Sequence, residues 1–507
     1  FISRRESMIL RPSSDSYRVI GKYSGKVIVG VGFLMAVPLI VSLIFAEWEA
    51  AIDFVIAIAL SLVIGFGAQA FFRTDKDLTW GEGLVVSAGS WIWAVMLAAV
   101  PYWLSGHYSS FVDACFDTMS GFTTTGLLLV QDLDHVSYGL NMWRHLLTYA
   151  GGQGIVVIAL TFLFKGTAGA YKLYVGEGKD ERLMPNVIET ARAIWLVSIV
   201  YLIVGSIVLW VANMWLGMAP VRGFLFGTWT FMGAWSTGGF FPMSYNTMYM
   251  HSFLEEIICI SIMIAGSMNF ALHWAIWTGK RKEISKNIEI QSFTITLVSA
   301  IALGAFMLAK LGIYGNAVSL LRKVNYTLVS AHTTTGFSTV YSRAFVTQWG
   351  PVGLAIITMA MMIGGSACST AGGIKNLRVG LMFKSFAADV KKTMMPETAL
   401  MRTKYHHIKD SLLSDDLVKT TVTIGFMFLF SYLSAGFLGV FFGYDFLQGL
   451  FEGVSALSAT GLSCGLTSPT MPEALKVIYI IYMWLGRLEF VSAFAVGAHL
   501  IAVFKGK

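Results

Sequence analysis

Charged residues are scarce in this chain. Asp, Glu, Lys and Arg make up 13% of its 507 residues, hydrophobic residues make up 56%, and the mean hydropathy is +0.67. Soluble globular domains carry about 25% charged residues, so the composition excludes an ordinary soluble protein. It indicates an integral membrane protein built from apolar segments.

Cysteines and catalytic groupings are also few. The four cysteines are scattered without metal-ligand spacing and are interpreted as small apolar residues. They are Cys115, Cys259, Cys368 and Cys464. No nucleotide-binding glycine motif is evident, and no convergent set of His, Asp, Glu or Cys occurs within the apolar stretches. The sequence therefore predicts no enzyme and no covalent cofactor, and regulation by a nucleotide would require a separate partner.

Long apolar runs are abundant. Ten of them are long enough to cross the roughly 30 Å of membrane hydrocarbon as helices, which takes about 20 residues each. They cover residues 27–46, 51–72, 84–104, 146–164, 193–213, 257–277, 293–313, 352–373, 421–442 and 474–504. The first has a long core and no convincing cleavage site, so we expect a retained span rather than a signal peptide. Because the chain begins with Phe1 instead of Met, we also expect residues upstream of it.

Basic residues indicate the orientation, since short loops rich in Lys and Arg stay on the cytoplasmic side. With both termini in the cytoplasm, the expected cytoplasmic loops are 73–83, 165–192, 278–290 and 374–420, and they and the termini hold most of the 36 basic residues. The eight exceptions are Arg144, Arg222, Lys310, Arg322, Lys323, Arg343, Lys476 and Arg487. The net charge of +7 is thus mainly an orientation signal, and we expect no nucleic-acid partner.

Four short polar motifs interrupt the apolar sequence. TTTG occurs at 123–126 and 333–336, and the related STGG and SATG occur at 236–239 and 458–461. Each follows an apolar stretch too short to cross the membrane. These stretches, at 111–122, 224–235, 321–332 and 446–457, are predicted to be re-entrant half-helices.

The four segments align without gaps from their final glycines. Ten positions upstream each copy has an aromatic residue, five and six positions upstream a small residue, and three positions upstream Ser or Thr. The aromatic residues are Phe116, Trp229, Tyr326 and Phe451. Such repetition predicts an all-α polytopic membrane protein. Its four repeats, each a span, a re-entrant pore helix and a span, would surround a central pore in pseudo-fourfold arrangement, preceded by two N-terminal spans.

The expected domain boundaries follow from these repeats. They are 1–26 for the N-terminus, 27–73 for the two extra spans, and 74–165, 166–280, 281–400 and 401–507 for pore repeats one to four. In repeat three the inner helix is expected to be broken.

Irregular backbone at membrane depth must face protein or a water-filled path, because unpaired carbonyls are costly in lipid. Four glycine-ended loops around one axis meet that condition if their carbonyl oxygens replace the hydration shell of a monovalent cation. The predicted filter residues are Thr124, Thr125, Gly126, Thr237, Gly238, Gly239, Thr334, Thr335, Gly336, Ala459, Thr460 and Gly461. A single copy could be an ordinary polar turn, but four registered copies argue against that alternative. The small residues could also serve helix packing, which is compatible with a filter.

Two further features lie within predicted spans. Residues 364–373 are too rich in Gly, Ser and Thr for an uninterrupted helix, and a loop here would enter the pore; a glycine-rich packing face is the alternative. They are Gly364, Gly365, Ser366, Ala367, Cys368, Ser369, Thr370, Ala371, Gly372 and Gly373. Arg487 is a charge in mid-span, so it should face a cavity or form a buried ion pair, although Glu489 is too close in sequence to be a comfortable partner.

At this point the chain resembles the Trk/Ktr/HKT superfamily of potassium transporters, over nearly its whole length. Besides the four motifs, the resemblance rests on GGSACSTAGGIK at 364–375, GRLE at 486–489, GGQGI at 151–155 and NFALH at 269–273. The two extra N-terminal spans are similar to those of the Trk branch, in which this type of chain is the pore-forming subunit.

The resemblance implies potassium uptake through a channel-like pore in the bacterial inner membrane. Residues 364–373 would be an intramembrane gate, and Arg487 would be a positive charge beside the pore below the filter. It further implies a homodimer and a cytoplasmic TrkA-like (RCK) ring that binds a nucleotide such as ATP, ADP or NAD. Potassium is expected over sodium because all four filter glycines are present, whereas sodium-preferring relatives commonly have serine at the first.

Several alternatives stay open at this stage. A less selective or cation-coupled transporter, moving sodium or protons with potassium, is the main one, and an organic-solute carrier is less compatible with a fourfold repeat. The basic loops could bind membrane lipids as well as a regulator. Asn269 and His273 could hydrogen-bond between helices or coordinate an ion, and His406 with His407 is expected to be a solvated loop pair.

Overall fold

The computed structural model describes residues 12–154, 157, 170–176, 186–396 and 402–505. Three helices precede the first repeat, namely α1 (Ser14–Leu34), α2 (Ala36–Ile44) and α3 (Trp48–Phe71). Repeat one contains α4 (Trp80–Ala98), α5 (Val100–Leu104), α6 (Phe111–Phe122) and α7 (Tyr138–Gln153), and α8 (Ala170–Gly176) follows. Repeat two contains α9 (Val187–Trp215), α10 (Pro220–Trp235), a 3-10 helix (Asn246–Met250), α11 (Phe253–Gly266) and α12 (Phe270–Trp277).

The second half of the chain follows the same plan. Repeat three contains α13 (Glu283–Lys286), α14 (Ile288–Lys310), α15 (Ala317–His332), α16 (Ser342–Thr347), α17 (Gly350–Met362) and α18 (Asn376–Thr393). An antiparallel hairpin of β1 (Lys404–His407) and β2 (Lys409–Leu412) comes next. Repeat four contains α19 (Asp415–Phe441), α20 (Phe446–Leu457), α21 (Glu473–Arg487) and α22 (Val491–Lys505).

The four predicted half-helices are present as α6, α10, α15 and α20, and all four end at the predicted residue. Two of them begin four residues earlier than predicted. In both, a residue that favours a helix start lies before a first turn that contains polar residues. Helix α10 begins at Pro220, which suits the first helical position. Helix α15 is capped by Asn316, whose side chain accepts the Ser319 N–H at 2.7 Å. The predicted repeat of span, half-helix and span is thereby confirmed.

The described residues contain fewer uninterrupted spans than the ten predicted. Among the described residues, six helical stretches are long and apolar enough to cross a membrane. They are Ser14–Ile44, Trp48–Phe71, Trp80–Leu104, Val187–Trp215, Ile288–Lys310 and Asp415–Phe441. Two further pairs, α11 with α12 and α21 with α22, pass only when joined, and they bend by 99° and 115°. The expectation of continuous spans at 257–277 and 474–504 is therefore wrong.

Local backbone features explain the two bends. Asn269 starts α12 afresh by accepting the Ala271 N–H at 2.8 Å, so it is a helix cap. His273 hydrogen-bonds the Ala265 carbonyl at 2.9 Å and Tyr201 at 3.3 Å, as expected for contacts between helices. In the fourth repeat Glu489 and Phe490 both have positive φ, at 50° and 69°, which no α-helix can accommodate.

The other two inner helices also stop early. Helix α17 ends at Met362 and irregular chain follows up to Lys375, so the predicted break in repeat three is present. Helix α7 ends at Gln153, and most of the rest of the predicted span 146–164 lies outside the described residues. Each interruption comes just after the inner helix passes the C-terminal end of a half-helix.

The distribution of side chains is that of a protein in lipid. Large apolar residues point outward from the long helices, among them Val63, Trp215 and Phe437, which are 71%, 85% and 66% exposed. Many Ser and Thr side chains are buried inside. Because exposed apolar surface of this extent is unstable in water, the long helices bury their outer faces in the bilayer.

Candidate functional site

Four loops leave the C-terminal ends of the half-helices. We call them ring loops one to four, and they are Thr123–Gly126, Ser236–Gly239, Thr333–Gly336 and Ser458–Gly461. All of their residues are buried except Gly461, which is half-buried. Each loop ends at a glycine in the left-handed region, with φ values of 88°, 69°, 86° and 87° in chain order.

The glycines bring the four loops into contact with one another. A Cβ atom added at any of them would lie under 3.0 Å from the carbonyl oxygen of the residue before the glycine in the next loop. The pairs are Gly126 with Gly238, Gly239 with Thr335, Gly336 with Thr460 and Gly461 with Thr125. The contacts run from loop one to two, three, four and back to one. The loops therefore form a closed ring around a common axis, and glycine is required because no side chain fits at these positions.

Each half-helix ends in the same backbone motif. The second residue of every ring loop is left-handed although it is not glycine, with φ of 59°, 49°, 53° and 53°. These residues are Thr124, Thr237, Thr334 and Ala459. The N–H of the residue that follows donates to a carbonyl five residues back, at 2.8 to 2.9 Å in all four copies, which is a Schellman motif. The left-handed residues cost about 1–3 kcal/mol each, so surrounding contacts must hold them in place.

The hydroxyl groups three positions before the glycines supply part of that support. In loops one, three and four, this hydroxyl pairs with the hydroxyl of the third loop residue, at 2.6 to 2.8 Å. Loop two has Gly238 at that position, and its Ser236 instead pairs with Thr148 of α7 at 2.5 Å. The Ser or Thr residues that the sequence places three positions before each glycine thus stabilise the shape of the loops through their hydroxyl groups.

Three of the four carbonyls at the glycine contacts accept no hydrogen bond from the described residues. Among the described residues, no N–H or O–H group donates to the carbonyls of Thr125, Thr335 and Thr460, whereas Gly238 accepts from the Phe240 N–H at 2.9 Å. Buried carbonyls are normally hydrogen-bonded, so a set of open ones can accept water or a cation. The C-terminal ends of four helices at the ring add negative potential, which favours a cation.

The chain between α17 and α18 passes directly beneath this ring. We call it the interrupting segment, residues 363–375. Thr370 lies against loops one and two, since its carbonyl accepts from the Thr124 hydroxyl at 3.4 Å and its hydroxyl is 3.1 Å from that of Thr237. The Gly372 N–H donates to the Thr334 hydroxyl of loop three at 2.9 Å. A Cβ at Gly372 would also crowd Ser458 of loop four, so the interrupting segment contacts all four loops.

Arg487 holds the interrupting segment from the side. Its guanidinium donates to the Thr370 carbonyl at 2.7 Å and to the carbonyls of Gly151 and Gly152 at 2.6 and 3.1 Å. Glu489 forms its ion pair with Arg378 of α18. The mid-span charge expected to face a cavity or a carboxylate therefore engages backbone oxygens of two other repeats.

A second anchor holds the first half of the interrupting segment, at Ala367. The Ala367 N–H donates to Oε1 of Glu289, a buried carboxylate in the first turn of α14, at 2.7 Å. Glu289 lies 3.8 Å from His407 in the β1–β2 hairpin, and His407 also contacts Asn287 at 3.2 Å. The contact chain thus runs from the hairpin to the interrupting segment.

The neighbouring His406 is also fixed by contacts. It hydrogen-bonds Asp410 at 2.7 Å and Glu283 at 3.0 Å, and its side chain is 23% exposed. The hydrogen bonds to Asp410 and Glu283 raise the pKa of His406 above its ordinary value. The expectation of a solvated loop pair is wrong, because both histidines lie in β1 and pack against the start of repeat three.

Two ion pairs between repeats, one fully and one partly buried, were not found from the sequence. Lys476 of α21 contacts Asp113 of α6 at 2.6 Å, and both side chains are almost fully buried. Arg322 of α15 makes two hydrogen bonds to Glu256 of α11, at 2.6 and 2.7 Å. Each pair connects a half-helix to the inner helix of the repeat that precedes it around the ring, repeat four before repeat one and repeat two before repeat three. Their sequence separation hides them, although a Lys in an apolar span is itself a signal that a partner exists.

The predicted filter and gate residues therefore come together as one unit. The twelve filter residues form the ring, the residues 364–373 lie beneath it, and Arg487 reaches the interrupting segment. In the part of the chain that the structure describes, no group of three or more His, Cys, Asp or Glu could hold a metal ion. Cation chemistry at this site would depend on backbone oxygens.

The fold and the site together define a polytopic membrane protein with four re-entrant repeats closed around an axis. A family model for TrkH, described as a cation transport protein, matches residues 52–500. The chain belongs to this family of cation transport proteins.

Individual relatives agree over nearly the full length. An uncharacterized cation transporter of Methanocaldococcus jannaschii is 29% identical over 478 residues, covering 94% of each chain. The Trk system potassium uptake protein TrkG of Escherichia coli is 26% identical over 491 residues, covering 94% of this chain and 97% of its own. The crystal structure of the potassium transporter TrkH from Vibrio parahaemolyticus matches with a TM-score of 0.80 at 23% identity, over 94% of this chain and 98% of that one, so it shares the fold.

Proposed function

We propose that this chain conducts potassium into the cell through the ring. The observation that carries the proposal is the closed cycle of four glycine contacts with its open carbonyls. Potassium is taken from the printed names of relatives such as TrkG of Escherichia coli. Alternatives that need side-chain ligands lack support, because the described residues offer no acidic or histidine cluster at the ring.

Conduction requires no chemistry in the protein itself. A dehydrated ion passes between the carbonyls of the predicted filter residues, which replace its water shell. The four helix ends make the axis favourable for cations over anions. A membrane potential of 100 mV favours inward movement of one monovalent charge by about 2.3 kcal/mol, which is sufficient to drive accumulation.

The interrupting segment is proposed as the gate. In the present arrangement its residues 370–372 touch every ring loop, and the Arg487 guanidinium lies on the same side, so both steric and electrostatic barriers oppose an ion below the ring. Opening would move the segment away from the axis. The links through Arg487 and Glu289 are contacts that could be released to allow this movement.

Regulation is proposed to come from a cytoplasmic partner. The basic segments, the β1–β2 hairpin and both termini are expected on the cytoplasmic side, where a TrkA-like (RCK) nucleotide-binding ring would dock onto a homodimer. The chain from the hairpin through His407 and Glu289 to Ala367 offers a physical route from that face to the gate. Membrane lipids would contact the apolar faces of the long helices.

Ion flux in liposomes tests the proposal. The purified protein should carry potassium and rubidium in preference to sodium, with uptake that follows an imposed potential and does not require a pH gradient. Gly336→Ser should abolish or invert the preference, because a side chain there would collide with Thr460. Gly315→Ser is the matched control, since Gly315 is exposed in the same repeat with nothing within 4 Å.

Two results would contradict the proposal. One is potassium uptake by the wild type that stops when a pH or sodium gradient is removed, which would indicate a coupled transporter. The other is an unchanged ion preference in a correctly inserted Gly336→Ser protein.

A further inference from the structure

Two buried carboxylates occupy the same register in different repeats. Asp117 lies nine residues before Gly126, and Glu452 lies nine residues before Gly461. Both side chains are buried in the half-helices, at 1% and 0% exposure. Repeats two and three have threonines at this register, Thr230 and Thr327. Burying a carboxylate without partners costs free energy, so each of these two side chains should have hydrogen-bond donors around it.

Asp117 binds the chain that leaves ring loop one. Its Oδ1 accepts the Leu129 N–H at 2.7 Å, and its Oδ2 accepts the Tyr108 hydroxyl at 3.0 Å and the Val130 N–H at 3.5 Å. Leu129 is three residues beyond Gly126. The side chain thus connects the helix that enters the loop to the strand of backbone that leaves it.

In repeat four, Glu452 likewise binds the chain that leaves ring loop four, and it accepts hydrogen bonds from more groups than Asp117 does. Its Oε1 accepts the N–H groups of Cys464, Leu466 and Thr467 at 3.1 to 3.2 Å and the Ser463 hydroxyl at 2.5 Å. Its Oε2 accepts the Thr467 hydroxyl at 3.2 Å. Cys464 is again three residues beyond the ring glycine. Hydrogen bonds to a carboxylate are shorter and stronger than those between neutral groups, so the exit chain is firmly held.

The chains that leave ring loops two and three meet cationic side chains instead, Arg144 of repeat one and Lys323 of repeat three. Arg144 donates to the Phe241 carbonyl at 3.4 Å, and its guanidinium lies 4.8 Å from the Phe240 ring. Lys323 donates to the Thr339 carbonyl at 2.6 Å. The chains that leave loops one and four, which are neighbours in the ring, are therefore held by a buried carboxylate through their N–H groups. The chains that leave loops two and three are contacted by a cation at a backbone carbonyl, and the Ser338 N–H after loop three also donates to Asn246 Oδ1 at 3.3 Å.

We propose that Asp117 and Glu452 are positioning residues that determine ion selectivity at loops one and four. The inference rests on the proposed function, because it assigns a role within that ring. A loop can widen toward a differently sized ion only if its entry and exit chains move apart. The carboxylates prevent this movement, and they do so by hydrogen-bond geometry rather than by attracting the ion through their charge.

Two substitutions at one site separate geometry from charge. Glu452→Gln removes the charge, but its amide oxygen can still accept the N–H groups that Oε1 accepts, and its amide nitrogen can face the Thr467 hydroxyl. Glu452→Asp keeps the charge but is one methylene shorter and cannot reach the same donors. The potassium-to-sodium ratio in liposomes should stay within about twofold for Gln and fall about tenfold for Asp, because leaving buried donors unsatisfied is the costly change.

Matched variants complete the experiment. Asp117→Leu should lower the potassium-to-sodium ratio by a similar factor while sodium flux continues, which mere loss of stability would not produce. Thr327→Val is the control, since it has the same register and its hydroxyl has no hydrogen-bond partner among the described residues. If Asp117→Leu does not insert, the Gln and Asp variants at position 452 still decide the question.

The outcomes are distinguishable. A ratio that falls for Gln and is retained for Asp would overturn the inference in favour of a charge effect, and an unchanged ratio in both would overturn it as well. A wild-type protein without potassium preference would instead overturn the proposed function, and this is measured before any variant.

Discussion

The ring loops and the interrupting segment are both irregular backbone among buried helices, but their hydrogen bonds go to different places. Each ring loop is bonded mainly to its own half-helix, within six residues. The interrupting segment is bonded to other repeats, through Ser267 of repeat two and Arg487 of repeat four, and to distant residues of its own repeat, Glu289 and Thr334. Local bonds survive movements of neighbouring repeats, whereas bonds between repeats are lost when those repeats move. The difference favours a constant ring above a segment that can change position.

The largest effect is expected from crowding the ring. Gly461→Ala would place a Cβ against the Thr125 carbonyl and should reduce cation flux by more than about tenfold, since overpacking typically costs about 1–3 kcal/mol. Gly443→Ala is the control, because Gly443 has φ 88° against 87° at Gly461 and nothing within 4 Å. Both variants carry the same backbone strain. Equal flux in the two variants would show that the ring does not limit conduction.

A smaller effect, of opposite sign, is expected at the interrupting segment. Arg487→Gln loses charge-assisted hydrogen bonds to the Thr370, Gly151 and Gly152 carbonyls, each worth about 1.5–3 kcal/mol. The segment should leave the axis more often, so flux without any regulator should rise about tenfold in liposomes.

Lys310→Gln removes an exposed cation at the end of α14 and should leave flux unchanged. Unchanged or reduced flux in Arg487→Gln would argue against Arg487 as a closing contact.

The second anchor should have a weaker influence. Glu289→Met keeps the volume but removes the acceptor of the Ala367 N–H, so basal flux should rise several-fold, by less than in Arg487→Gln. Glu189→Met is a suitable control, because Glu189 also lies in the first turn of an Asn-capped helix but is exposed. Identical flux in Glu289→Met and Glu189→Met would contradict a functional link between the hairpin and the interrupting segment through Glu289.

The smallest effect concerns pH at the hairpin. The pKa of His406 is raised by Asp410 and Glu283, so protonated His406 stabilises the hairpin. This contribution is complete below the ordinary histidine pKa of about 6.5 and is lost as the pH rises through the raised value. Amide hydrogen exchange of residues 404–412, corrected for intrinsic rates, should therefore show protection that falls over this pH range.

His406→Gln should remove that pH dependence, whereas His135→Gln, which affects a separate exposed His–Asp pair, should not. Loss of the pH dependence in both variants would mean that the titrating group is not His406.

Prediction from the sequence succeeded where interactions are short in range. The four half-helix ends, the glycines and the hydroxyl column all follow from residues within ten positions of one another. It was wrong about the second and fourth inner spans, because hydropathy averaged over a window does not detect an Asn cap at Asn269 or two left-handed residues at Glu489 and Phe490. It also did not identify Asp117 and Glu452, although their shared register was visible.

By itself, the sequence determined the membrane class, the fourfold repeat and the place of each ring loop, since composition and local hydrogen bonding are properties of neighbouring residues. Only the tertiary structure decided that Arg487 holds backbone carbonyls, that Glu289 reaches Ala367 and that Lys476 meets Asp113. The physical reason is that every residue has a backbone carbonyl, so the residue type does not show which carbonyl accepts a hydrogen bond. Partners more than 300 positions apart, such as Lys476 and Asp113, meet only after the ring of repeats has closed.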